Sequence, residues 1–158
     1  VDFVVRGEGE QTIVELTDAI TNGGDFRSVQ GITYYDEKKN TTQSTPRRDY
    51  ISDPDTLPFP ARELFPLHLY DRPANVLLSR GGCPFNCRFC AVNNIWGEGQ
   101  RRYRDPENVA EEVEQLLQTH QIQIINFADD TFTLNRQRVE EFIDEIPSIE
   151  SPVPWRWS

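Results

Sequence analysis

The chain has 158 residues, of which 27% are charged and 37% hydrophobic, with a formal net charge of −10. That length accommodates one domain, or one domain and a piece of another. No apolar run is long enough to cross a bilayer, and the negative charge opposes a phosphate backbone, so neither a membrane span nor a nucleic-acid partner is expected.

Phe3-Val4-Val5 reads as a short apolar strand, and Arg6-Gly7-Glu8-Gly9-Glu10 as the turn after it. Ile13, Leu16 and Ile20 then recur at helical spacing, with Asn22-Gly23-Gly24 as a stop signal. This is a βα unit with a glycine-rich turn. Glycines there permit close approach of a ligand. The same turn also reads as a plain connection with acidic residues at the positive end of a helix. Gly31 to Tyr35 is rich in β formers, Asp36 to Asn40 is a polar turn, and Thr41 to Thr45 returns as a second strand, predicting a hairpin. Six of the eleven prolines fall between Pro46 and Pro73. Such a stretch excludes a regular helix or a central strand and reads as an extended surface linker between domains. The expected division is therefore 1–45, a linker over 46–74, and 75–158.

Val76-Leu77-Leu78 reads as a buried strand that ends in a tight loop, Ser79-Arg80-Gly81-Gly82. All three cysteines follow within eight residues, Cys83, Cys87 and Cys90, spaced C-x₃-C-x₂-C. An odd count on one short loop argues against a disulfide framework and for thiolates converging on a metal. Structural zinc takes four ligands, and the fourth would come from His68 or His120. An iron–sulfur cluster held by three thiolates is the alternative and leaves one iron open. Reduced thiols, with no signal or transit segment legible, place the protein in the cytoplasm.

Ala91 to Arg104 reads as a polar loop, and its Arg101, Arg102 and Arg104 as acid-binding or simply solvated. Asp105-Pro106-Glu107 starts a helix whose inner face carries Val109, Val113, Leu116 and Leu117, with His120 at its end. Ile122 to Phe127 is the next buried strand and runs into Ala128-Asp129-Asp130-Thr131-Phe132. Asn135 to Ile146 is a second helix, with Val139, Phe142, Ile143 and Ile146 on one face and Pro147 ending it, and Trp155 opens a third strand. Strands and helices that alternate in this way form parallel sheets with right-handed crossovers. Functional groups then collect at the C-terminal strand ends, which brings the cysteine loop and the Asp129-Asp130 pair to one face.

Cys83, Cys87 and Cys90, with Phe89 before the last, resemble the cluster loop of the radical SAM enzymes. The resemblance implies a [4Fe–4S] cluster on the three thiolates, with S-adenosylmethionine chelated to the open iron and cleaved reductively to a 5′-deoxyadenosyl radical. The family's Gly-Gly-Glu motif is replaced here by Asp129-Asp130-Thr131-Phe132, a pattern similar to the cobalamin-dependent subgroup of anaerobic porphyrin cyclases and carbon methylases. Asp129 or Asp130 is then expected at the adenosylmethionine amino group, with Phe89 also beside that cofactor. Leu57-Pro58-Phe59-Pro60-Ala61-Arg62 resembles the linker of this subgroup, and residues 1–10 the last βα unit of its cobalamin domain. Gly7, Glu8 and Gly9 would form at most the edge of the cobalamin site, because no D-x-H-x-x-G signature is present.

The expected fold is therefore α/β: the C-terminal end of a Rossmann-like B12 domain, then the first βα units of a partial (β/α)₆ barrel. Both chain ends read as the interior of strands and there is no methionine, so the sequence reads as a piece of a longer protein that does not turn over alone and tends to self-associate. The expected activity is cobalamin-assisted methyl transfer or cyclisation of a small-molecule substrate, with flavodoxin or ferredoxin as reductant. A non-catalytic zinc or electron-transfer module is the alternative.

Overall fold

The computed structural model describes residues 2–66, 69, 74–96, 101–120, 122–145, 149, 151 and 153–157. It divides into two compact units, Val1–Ser52 and Asp53–Ser158. The chain is mixed α/β.

The first unit holds β1 (Phe3–Val5), α1 (Glu10–Thr21), β2 (Ile32–Asp36) and β3 (Thr41–Ser44). Its sheet has the order β1-β2-β3 and is antiparallel throughout, with Val5 opposite Ile32 and Thr33 opposite Ser44. The hairpin turn is closed by Asp36, whose Oδ1 accepts the N–H groups of Lys38 and Lys39 at 3.1 and 3.3 Å. Asn40 takes a φ of 50° there, a left-handed conformation that Asn tolerates. Helix α1 stops where the glycines predict, with Gly23 at φ 70°. Its buried stripe is Thr12 and Leu16, whereas Ile13 and Ile20, which recur with Leu16 at helical spacing, are half-exposed. The Thr12 hydroxyl turns the helix this way, donating to Gln30 O at 3.2 Å and accepting from Arg48 Nε at 3.0 Å. Leu16, Val29 and Ile32 form the small core, flanked by Phe3, Phe26 and Tyr34.

In chain order the second unit runs β4 (Ala74–Val76), β5 (Ser79–Gly81), α2 (Val92–Trp96), β6 (Arg101–Tyr103), α3 (Pro106–Thr119), β7 (Ile125–Phe127), α4 (Arg136–Glu145) and β8 (Trp155–Trp157). Strands β4, β7 and β8 are parallel in that order, with α3 and α4 as the connections. The predicted start of α3 forms as read. The Asp105 side chain accepts the Glu107 N–H at 3.1 Å and Pro106 occupies the first turn. Val109, Val113 and Leu116 are buried against Val76, Ile125 and Phe127 in one core, and Phe142 of α4 joins them. The Phe127 ring stacks on Trp155 at 5.6 Å and meets Phe142 edge-on at 5.0 Å. Ile143 is half-exposed, and Ile146 and Pro147 lie outside the described residues.

Two readings change. The first parallel strand ends at Val76, and the expected tight loop Ser79–Gly82 begins instead with β5, which pairs antiparallel with β6 in the stretch read as a polar loop. The break comes from side chains. The Leu78 N–H and the Ser79 hydroxyl both donate to Asp129, and Arg104 Nη1 donates to Leu77 O at 2.9 Å. The Leu77 carbonyl and the Leu78 N–H are therefore bonded to side chains where β4 gives way to β5.

The proline-rich stretch is more than a surface linker, because Ile51 and Pro54 are buried. In the first unit, the Ile51 N–H donates to the Glu8 carboxylate at 2.8 Å. In the second, the Asp105 N–H donates to Asp55 at 2.9 Å, and Arg62 donates to Asn75 O at 2.8 Å while pairing with Glu112. Arg104 binds the other oxygen of Glu112, which lies almost wholly inside on α3.

Candidate functional site

The C-terminal ends of β4 and β7 deliver the two segments that the sequence singles out. From β4 the chain passes through β5 to Gly81, whose φ of 124° suits only glycine, then through buried Gly82 into the cysteine loop. Asn93 of α2 clamps the entry to that loop. Its Oδ1 accepts the Cys83 N–H at 2.8 Å and its Nδ2 donates to Phe85 O at 3.0 Å. Further along, the Cys90 N–H donates to Cys87 O at 3.0 Å, closing a turn over the C-x₂-C pair.

All three thiols are free, Cys83 half-buried and Cys87 and Cys90 exposed. Among the described residues, no three His, Cys, Asp or Glu side chains are gathered closely enough to hold a metal ion. The donor set itself fits an iron–sulfur cluster: three thiols on eight consecutive residues, with no disulfide competing for them. His120 caps the end of α3, its N–H bonded to Leu116 O at 3.0 Å, and His68 lies outside the described residues. Phe89 is almost fully exposed.

From β7 come Asp129, Asp130 and Thr131. Asp129 is 5% exposed, with Oδ2 accepting the Leu78 N–H at 2.9 Å and Oδ1 the Ser79 hydroxyl. Burial pushes its carboxyl above the usual aspartate range, while Ser79, the Leu78 N–H and the charge of Arg101 act in the opposite direction. Asp130 is exposed. Thr131 faces the cysteine loop with its hydroxyl 3.9 Å from Cys83 Sγ, and its carbonyl accepts from Arg101 Nη1 at 2.6 Å.

The arginines separate by role. Arg104 is a structural cation held by Glu112, Asn108 and the carbonyl of Leu77 just past β4, not a solvated one. Arg101 braces Thr131. Sequence reasoning missed Asn93, Ser79 and Thr131. A polar residue ten positions beyond the first cysteine carries no motif, and Thr131 was legible only as part of the Asp-Asp-Thr-Phe run.

In the first unit, Glu8 is buried and holds Ile51, so its carboxylate is directed into its own unit. A Cβ on Gly7 would meet nothing within 4 Å, and one on Gly9 would meet Val5 at 3.2 Å. Gly7 takes a φ of 76° in this turn.

Residues 78–150 match the model of the radical SAM superfamily. Over 158 residues the chain is 35% identical to an uncharacterized methyltransferase of Pyrococcus horikoshii, covering 98% of this chain and 34% of that protein. It is also 35% identical over 151 residues to the anaerobic magnesium-protoporphyrin IX monomethyl ester cyclase of Synechocystis, covering 92% of this chain and 29% of the relative. Its fold is similar to the cobalamin-dependent S-adenosylmethionine radical enzyme OxsB, solved with aqua-cobalamin and S-adenosylmethionine bound (TM-score 0.78, 20% identity, 97% of this chain, 22% of that one). It is similar too to the radical S-adenosylmethionine methyltransferase TsrM of Kitasatospora setae, solved with tryptophan and an S-adenosylmethionine analogue (TM-score 0.68, 21% identity, 92% and 29% coverage). The chain thus spans about a third, or less, of the proteins it matches.

Proposed function

We propose, from the match of residues 78–150 to the radical SAM superfamily, that Cys83, Cys87 and Cys90 hold a [4Fe–4S] cluster and that S-adenosylmethionine binds beside it. The observation that carries this is the position of three free thiols on one loop beyond the first parallel strand, next to the loop that follows the second. Such a cluster supplies the electron that splits the sulfonium of S-adenosylmethionine. The chain's own residues bind and orient. Asn93 fixes the backbone of Cys83, so that the first thiolate leaves the loop in one direction. Asp129 ties the end of β7 to the start of β5 and keeps the two loops side by side. Asp130, the exposed carboxylate, takes the ammonium of the amino-acid moiety, a charge-assisted contact.

The larger protein acts in this reading as a cobalamin-assisted methyltransferase or cyclase on a small molecule, with a low-potential protein reductant. That reading draws on the cyclase and methyltransferase relatives and on the fold shared with OxsB and TsrM. No residue of this chain is assigned to cobalamin.

The test is anaerobic reconstitution followed by iron, sulfide and zinc analysis. The expected result is a brown protein whose iron is lost in the triple Cys→Ala variant. A colourless protein with stoichiometric zinc would overturn the proposal and leave a non-catalytic metal module.

A further inference from the structure

Thr131 stands at the N-cap of the single 3₁₀ turn Phe132–Leu134, where a threonine hydroxyl ordinarily accepts a backbone N–H of that turn. Here it makes no such bond. Its Oγ1 lies instead 3.9 Å from Cys83 Sγ, within reach of a hydrogen bond to sulfur. The backbone around it is fixed, because Arg101 Nη1 donates to the Thr131 carbonyl at 2.6 Å. On the other side, Asn93 fixes the backbone of Cys83. Both partners of the O–H···S contact are therefore held by independent side chains. Cys83 is also the least exposed of the three thiols, so a hydrogen bond there is the least weakened by water.

We propose that Thr131 is a tuning residue, donating its hydroxyl hydrogen to the Cys83 thiolate and so setting the reduction potential of the cluster. The inference rests on the assignment of the three cysteines as cluster ligands. One-electron reduction adds negative charge that is shared with the ligand sulfurs. A donor aimed at one of them stabilises the reduced form and raises the potential. The three thiolates are then unequal, because among them Cys83 would carry the hydrogen bond from the Asp-Asp-Thr-Phe loop.

The experiment is a dithionite titration of the reconstituted full-length protein, followed by electron paramagnetic resonance, for wild type, Thr131→Val, Thr131→Ala and Thr131→Ser. Valine preserves the shape and removes the donor, alanine gives a second donor-free side chain, and serine keeps the hydroxyl. The expected result is a shift of the midpoint to more negative potential in the valine and alanine variants at wild-type iron content, with serine restoring the wild-type value. Midpoints unchanged in all variants that hold a full cluster would overturn the inference and leave the cysteine assignment standing. An equal shift in the serine variant would also overturn it, because packing and not the hydroxyl would be the cause. A wild-type protein that takes up no iron would overturn both the inference and the assignment.

Discussion

Asp129 and Asp130 are neighbours in sequence and opposites in environment: one is buried with both oxygens bonded, the other faces water. The pair therefore separates on mutation. Asp130→Asn should weaken S-adenosylmethionine binding by about 1.5–3 kcal/mol, the cost of losing a charge-assisted hydrogen bond. Asp129→Asn should change stability more than ligand affinity. Calorimetric titration beside urea unfolding checks both, and equal affinity loss in the two variants would refute the division of roles.

The stability effect also carries a pH signature. Asp129 has a raised carboxyl pKa in the folded state, so between the unfolded and folded values the folded chain holds more protons. Its contribution is greatest below the unfolded value of about 3.9 and declines as pH rises through the folded one. Asparagine does not titrate. The stability of wild type relative to Asp129→Asn should thus be largest in acid and shrink as pH climbs, as urea midpoints at several pH values will read. The sequence placed both carboxylates at a strand end correctly. It gave no means to tell them apart, since that depends on Leu78 and Ser79, about fifty residues away in the chain.

At the scale of elements, the local signals were strong wherever they were closed within the element. The Asp-Pro-Glu start of α3, its Val109-Val113-Leu116 stripe and the hairpin of the first unit are all formed by neighbours in sequence. Strand β5 was read as a loop because β6, its strand partner, lies beyond the cysteines in a stretch with no apolar pattern. Which face of α1 turns inward was not legible for a similar reason. Its orientation follows from bonds of Thr12 to Gln30 and Arg48, which periodicity does not record.

The exit of β4 depends on one side chain, because Arg62 and Arg104 hold carbonyls there while both bind Glu112. Removing one partner of a buried pair leaves uncompensated charge, at a cost of about 3–5 kcal/mol. Glu112→Ala should lower stability by that order, whereas exposed Glu111→Ala should change it little. Parallel chemical denaturation of the two variants tests this.

For the whole molecule, alternation of strand and helix was enough to make β4, β7 and β8 parallel and hence to put the cysteine loop and the Asp129-Asp130 loop on one rim. The antiparallel pairing of β1 with β2 was not legible, because Phe3-Val4-Val5 carries no signal of direction. Among the described residues, no helix is long and apolar enough to cross a membrane.

The ion pairs of Arg62 with Glu112 on α3 and of Asp55 with Arg104, at 3.9 Å, also bear on where this domain can be cut. The recognised motif begins near residue 78, and a designer working from it would discard the prolines as a tether. A shortened version that starts at residue 75 would bury Glu112 and Arg104 without two of their counterions and strip the cover from the helix start. One that starts at Asp53 would keep them. The longer version should be recovered soluble with a cooperative melt, and the shorter one in inclusion bodies or with a clearly lower melting temperature. The smallest portable unit of this fold is thus set by salt links across its prolines, upstream of any cysteine.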